Sequence, residues 1–171
     1  MSIEFRIDTN QIKIVVKISV PKETKERENR VSLTPDVIKT LVDNGFECTV
    51  EKGAGLNSYF SDEDYISSGA KIADSTDSVY SEADVLVRVN PPSIEEVALM
   101  KSGSVLISFL FAATNHNLAD SLAKQNVSSF AMDAIPRISR AQKMDALSSQ
   151  SNLGGYKAVL MAANELGKVF P

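Results

Sequence analysis

The chain has 171 residues, 43% of them hydrophobic, and its 18 basic and 22 acidic side chains leave a net charge of −4. That is one domain's worth of chain, two at most, with apolar content for one sizeable core and no basic surplus for non-specific nucleic-acid binding. A single cysteine, Cys48, and a single histidine, His116, leave no room for an intramolecular disulfide framework or a multi-histidine metal site.

At the N-terminus, Met1–Asn10 carries Glu4 and Asp8 and lacks the apolar run of a secretory signal. Ile3, Phe5 and Ile7 alternate, so residues 1–13 read either as an added edge strand or as a flexible leader. Ile14–Val20 is β-branched and nearly continuous, as a strand buried on both faces would be. Thr34-Pro35 supplies an N-cap and an N1 proline for a helix whose stripe is Val37, Ile38, Leu41 and Val42 and whose stop is Gly45. Phe46–Val50 is the second strand. Ser61 caps a short helix through Tyr65 and Ile66, ended by Gly69, and Lys71–Ala73 is a short third strand. Val85–Val89 is a strand stopped by Asn90-Pro91-Pro92, and Ser93 with Glu96 forms a capping box for a helix to Met100. Ser104–Leu110 is the next strand, Leu118–Lys124 a helix, Val127–Ala131 a further strand, and Ser151 to about Lys168 a last helix. No run of about 18 apolar residues is present to span a bilayer, so the chain reads as soluble and cytoplasmic.

This alternation predicts an α/β fold: a doubly wound parallel sheet with helices on both faces, flavodoxin- or Rossmann-like. Ligands of such sheets sit at the carboxyl ends of the strands. Those ends carry Pro21–Arg30, Asn90–Ser93, Phe111–Asn115 and Asp133–Gln150. Pro21–Arg30 is densely charged and reads mainly as a solvated loop, with Arg30 the candidate to grip a carboxylate or orient a neighbouring loop. Gly53 and Gly55 follow a strand, but the third position of a dinucleotide fingerprint falls on Ser58, and the first strand is followed by Pro21-Lys22-Glu23. They are turn glycines, and no phosphate cradle of the usual kind is present. His116 reads as an exposed helix-terminal residue and Cys48 as a small core residue. Met132–Gln150 stands out as a long polar loop with apolar anchors at Pro136, Ile138, Met144 and Leu147. Its two arginines, glutamine, aspartate and serine suit a polar uncharged or anionic ligand. No group in it is poised for acid–base work, so it reads as a recognition loop that positions a ligand.

The segment Pro136–Val159, PRISRAQ-x-MDALSSQSNLGGYKAV, closely resembles the alpha subunits of proton-translocating NAD(P) transhydrogenases. VPKETKERENRVSLTP (Val20–Pro35), VEKGAG (Val50–Gly55), GAKI (Gly69–Ile72) and VRVNPP (Val87–Pro92) resemble the first domain that those subunits share with alanine dehydrogenases. The resemblance covers nearly everything from Lys17 on. It implies a division into a leader or added edge strand at 1–16, the shared N-terminal-type domain at 17–150, and at 151–171 a connecting helix toward an NAD-binding domain beyond Pro171. The chain would then be a piece of a longer subunit. It further implies that Arg137, Gln142, Asp145 and Ser148 line the nicotinamide end of a cleft for NAD(H). Gln142 would orient the ring for hydride transfer, Arg137 and Asp145 would hold the carboxamide and the loop, and Ser148 would add a polar contact. NAD(H) would be held mainly by the second domain, and NADP(H) by a partner component. Other implied partners are a membrane component that moves protons and a second copy of the subunit, so the enzyme would be peripheral to the inner membrane.

Two departures separate the branches of that family. Alanine dehydrogenases carry a catalytic lysine where this chain has Asn90, and a catalytic histidine where it has Phe111. An amino-acid dehydrogenase is therefore the disfavoured alternative. A stand-alone flavodoxin-like binding module is the third, and it would require a complete ligand site within 171 residues. In the last helix Tyr156, Val159, Leu160, Ala163 and Leu166 share a face, which predicts packing onto the chain's own sheet layer or against another copy.

Overall fold

Side-chain caps and a set of β-branched runs lay out the architecture in the computed structural model, which describes residues 15–169. Strand β1 (Lys17–Val20) is followed by helix α1 (Pro35–Asp43), which starts on its N1 proline and stops where Gly45 takes φ +90°. Thr34 stands at the N-cap but makes no side-chain cap bond. After β2 (Glu47–Glu51), Ser61 and Asp64 close a capping box on α2 (Asp62–Ser67). Strand β3 (Lys71–Ala73) leads into α3 (Thr76–Ser81), a helix the sequence pattern does not announce; Ser75 caps it by accepting from the Ser78 N–H. Then come β4 (Val85–Val87), α4 (Ile94–Leu99) with the expected Ser93–Glu96 box, β5 (Val105–Ser108), α5 (His116–Lys124) and β6 (Ser128–Ala131). The last element is a 20-residue helix, α6 (Ala146–Glu165). Ile3, Phe5 and Ile7 lie outside the described residues.

All five strand pairings are parallel, in the order β3-β2-β1-β4-β5-β6. Chain direction therefore reverses its drift beside β1, between β1 and β4, which is the switch point of a doubly wound sheet. Side chains alternate between two cores. Ile18, Val20, Val50 and Cys48 pack with Ile38 of α1 and Tyr65 of α2 on one face. Leu86 and Leu106 pack with Val79, Tyr80, Val97, Met100, Leu118 and Leu122 of α3, α4 and α5 on the other. Cys48 is buried and His116 is exposed at the start of α5, both as expected. Gly55 is needed for space: a Cβ there would lie 2.6 Å from Tyr65 Cε2 and 2.9 Å from the Phe60 carbonyl.

The last helix corrects one expectation. Tyr156, Val159, Leu160 and Leu166 are 68, 59, 48 and 41% exposed, so α6 does not pack back onto the chain's own sheet. The helix is about 30 Å long at 1.5 Å per residue, and only its first turns meet the body, through Ala146, Gln150 and Leu153. Past them it has no layer of this chain beside it among the described residues. It also begins at Ala146, inside the polar segment that the pattern assigned to loop up to Gln150.

Candidate functional site

The carboxyl ends of β1 and β4, next to the switch point, are joined by a network of charged side chains. Glu23 leaves β1 two residues after Pro21 and turns inward, with its side chain only 3% exposed. Its Oε1 accepts from the Val89 N–H at 2.6 Å, and its Oε2 accepts from Asn90 Nδ2 at 3.0 Å. Arg88 Nη2 lies 3.6 Å from the same carboxylate. Arg88 Nη1 donates to Glu96 Oε2 at 2.7 Å and to the Tyr80 hydroxyl at 2.5 Å, and that hydroxyl donates to Glu96 Oε1. Arg88 is thus paired on both sides, as a buried guanidinium requires, although its Nε has no partner among the described residues. Burial raises the Tyr80 phenol far above its usual range.

The network continues outward. Asn90 Nδ2 also donates to Glu28 Oε2 at 2.9 Å, and Arg30 holds the Glu28 carboxylate through Nε at 2.7 Å and Nη2 at 2.6 Å. Hydrogen bonds from Arg30, then from Asn90, hold the Glu28 carboxyl down at about 2 against the partial burial that opposes them. Arg30 Nη1 reaches Gln150 Oε1 at 3.5 Å. So the charged loop is only in part the solvated loop its composition suggests. Lys25, Glu26 and Arg27 are exposed, while Glu23 and Glu28 point in and Arg30 grips a carboxylate of its own loop. One signal for the inner half was available in the sequence: Arg88 interrupts the apolar run Val85–Val89, and a charge in a buried strand needs a partner.

The polar segment after β6 is two short 3₁₀ turns, Met132–Ala134 and Gln142–Met144, on either side of a stretch around Pro136–Arg140. The structure brings Asp145 and Ser148 together. Asp145 is the N-cap of α6: Oδ1 accepts from the Ser148 N–H at 2.9 Å and Oδ2 from the Ser148 hydroxyl at 2.6 Å. Those two bonds lower the Asp145 carboxyl, and the charge of Arg137 nearby adds to the effect. Arg137 and Gln142 are exposed, Gln142 in the turn that leads into the cap, with its carbonyl accepting from the Asp145 N–H. Side-chain contact therefore links two of the four candidates, charge links a third, and the backbone turn places the fourth beside them.

A cavity of about 670 Å³ lies alongside, on the α1 side of β4 and β5, between α1 and the start of α6. Val85, Val87, Ile107 and Phe109 form its floor, with Arg30, Arg88 and Gln150 among its few polar walls. None of the four candidates lines it. Among the described residues no cluster of His, Cys, Asp and Glu could hold a metal, and no helix is long and apolar enough to cross a membrane.

This polar set carries the neutral donors and acceptors that a carboxamide group would need, beside the exposed cation of Arg137. The exposed Gln142 amide and the Ser148 hydroxyl match a carboxamide's donor and acceptor. At the sheet end, the backbone N–H groups of Val89 and Asn90 are already taken by the Glu23 carboxylate and are not free for an anion.

Comparison with known proteins agrees with the fold. The chain is 45% identical over 161 residues to an NAD(P) transhydrogenase alpha-subunit polypeptide of Rhodospirillum rubrum, covering 91% of this chain and 42% of that one. It is 32% identical over 151 residues to an alanine dehydrogenase of Methanococcus maripaludis, covering 88% and 40%. Among solved structures, a transhydrogenase from Sinorhizobium meliloti superposes with a TM-score of 0.84 at 38% identity, covering 91% of this chain and 46% of that one. An L-alanine dehydrogenase superposes less closely, with a TM-score of 0.67 at 32% identity, over 70% and 33%. The chain spans less than half the length of these relatives. Residues 19–154 match the family described as alanine dehydrogenase/PNT, N-terminal domain, and with that match the chain belongs to this family.

Proposed function

We propose that this chain is the N-terminal part of the NAD(H)-binding subunit of a transhydrogenase that moves hydride between NAD(H) and NADP(H), with a separate membrane component coupling transfer to proton translocation. The observation that carries the reading is the polar cluster at the capped start of α6, Arg137, Gln142, Asp145 and Ser148, in a chain whose transhydrogenase relatives are closer than its alanine dehydrogenase ones. In this reading NADP(H) sits on a partner component, the subunit pairs with a second copy, and the enzyme is peripheral to the inner membrane.

When bound, a reduced nicotinamide would supply the hydride and an oxidised one would accept it. The chain's own residues supply position. Asp145 holds the first turn of α6, and with it Ser148, in one place. The Gln142 amide donates and accepts at once and carries no charge to favour the oxidised or the reduced ring. Arg137, whose charge is felt at Asp145, offers a cation to the carboxamide oxygen. None of these groups moves a proton, and hydride transfer between two like rings needs none moved.

The alanine dehydrogenase alternative asks for a lysine and a histidine at positions 90 and 111. Here Asn90 is a neutral amide tied between Glu23 and Glu28, and Phe111 is a hydrocarbon ring. Neither polarises a carbonyl nor transfers a proton. A stand-alone flavodoxin-like module would need its own phosphate-binding turn after β1, where Pro21-Lys22-Glu23 stands.

The deciding experiment supplies NADH deuterated at ring C4 to the intact assembly with NADP⁺. Deuterium recovered in NADPH rather than in water supports direct transfer. Reduction of NAD⁺ by alanine, with no label transfer, would replace this reading by the dehydrogenase one.

A further inference from the structure

Two adjacent strand ends in this sheet are closed in the same way. At the end of β4, the N–H groups of Val89 and Asn90 donate to Glu23, which comes from the loop after neighbouring β1. At the end of β5, the N–H groups of Leu110 and Phe111 donate to Asp133, which comes from the turn after neighbouring β6. The Asp133 bonds are 2.7 Å to Oδ1 and 3.1 Å to Oδ2, one N–H for each oxygen. The first clamp belongs to the core, since Glu23 is also paired with buried Arg88. The second is different: Asp133 is only partly buried and makes no ion pair among the described residues. Its charge is met by backbone N–H groups, the charge-assisted kind of hydrogen bond.

What Asp133 closes is a strained turn. Phe111 takes φ +50°, a left-handed conformation that a bulky side chain adopts only when its surroundings impose it. The Phe111 carbonyl accepts from the Thr114 and Asn115 N–H groups, which fixes the turn from the other side. The ring stacks on Phe109 with centroids 6.3 Å apart, and Phe109 floors the cavity beside α6. What Asp133 carries is the polar segment itself. It lies four residues before Arg137, at the root of the stretch that joins β6 to α6.

We propose that Asp133 is a positioning residue for hydride transfer: by holding the end of β5 it sets where the 137–148 segment, and therefore Gln142, stands relative to that strand end. This rests on the transhydrogenase reading above for the reaction, and on the geometry of this chain for the tether. Asp133 touches no nucleotide in this account. Asp133→Asn keeps the shape but replaces one acceptor by an NH₂ that faces an N–H donor. Asp133→Glu keeps the carboxylate on an arm one methylene longer.

The test has two independent arms. In the first, amide hydrogen exchange is followed in the chain before and after Asp133→Asn. The expected result is exchange about tenfold faster or more at Leu110, Phe111 and residues 134–148, with the β1–β4 core amides unchanged. In the second, label transfer and NADH affinity are measured in the intact assembly. The expected result is a transfer rate lower by about tenfold or more, NADH affinity held within about threefold, and part of the rate restored by Asp133→Glu. Unchanged exchange in the segment overturns the tether. An unchanged rate in an assembly whose wild type transfers label overturns the positioning role. Equal losses of core protection and of rate, with no recovery in Asp133→Glu, make Asp133 a fold residue and overturn it too. If the wild-type assembly transfers no label, the transhydrogenase reading falls, while the exchange arm still decides whether Asp133 tethers the segment.

Discussion

Glu23 and Arg88 face each other 3.6 Å apart at the carboxyl ends of β1 and β4, each side chain 3% exposed. Two groups of opposite charge this far from water are kept there by their other partners: Glu23 by the Val89 and Asn90 backbone, Arg88 by Glu96 and Tyr80. The pair joins the two halves of the sheet next to its switch point, in the place where other doubly wound sheets bind phosphate.

Removing one partner of that pair strands the other. Glu23→Ala should destabilise the domain by about 3 kcal/mol or more, because a buried guanidinium and two strand-end N–H groups lose their acceptor together. Urea unfolding reads this as a lower midpoint at an unchanged slope. A loss below about 1 kcal/mol would mean that Glu96 and Tyr80 suffice for Arg88.

Glu28 makes stability depend on acid. Its carboxyl is at about 2 in the folded chain against 4.5 as the ordinary value. The stabilisation is therefore complete above about pH 4.5 and is lost as pH falls through about 2. Because Arg30 is 44% exposed, water screens the pair, and its worth is on the order of 1 kcal/mol. Glu28→Gln should lower stability at about pH 7 and flatten the pH dependence between about pH 5 and 2, measured by thermal unfolding across that range.

Asp145 ends the loop and begins a helix. Asp145→Ala removes the acceptor of both Ser148 bonds, so the first turn of α6 should fray and its amides exchange faster while β1–β5 keep their protection. Asp145→Asn should restore much of that protection, since an amide oxygen still caps a helix.

Gln142 and Arg137 should separate in their kinetics. Gln142→Asn withdraws the amide by about 1.5 Å. In the intact assembly it should lower transfer on the order of a hundredfold with NADH affinity nearly unchanged, the signature of an interaction expressed in the transition state. Arg137→Ala should weaken NADH binding as well as transfer. Parallel stopped-flow transfer and equilibrium NADH titration distinguish the two, and a proportional loss of affinity in Gln142→Asn would reduce Gln142 to a binding residue.

Gly55→Ala tests close packing away from the site. Its Cβ would press on the Tyr65 ring at 2.6 Å and on the Phe60 carbonyl at 2.9 Å. The expected cost is about 1–3 kcal/mol by chemical denaturation.

Local chemistry alone determined much of this chain. Pro35 at N1, the Ser61 and Ser93 caps, Gly45 and Gly69 after their helices, and the apolar runs of β1, β2, β4 and β5 each act within a few residues, so they are legible in order along the sequence. The α/β class follows from that order. Short helix α3 escaped because Ser75 caps it with Ser78 at the third position, where no glutamate completes a box. The start of α6 escaped because its cap, Asp145, sits in a run of polar residues that reads as loop. Only the tertiary structure decided which charges turn inward. Glu23 meets Val89 across 66 residues and Asp133 meets Leu110 across 23. No local pattern encodes such meetings, since they exist only once parallel pairing has brought the strand ends together. For the same reason Glu23 and Glu26 look alike in sequence, and folding buries one in a salt bridge and leaves the other in water.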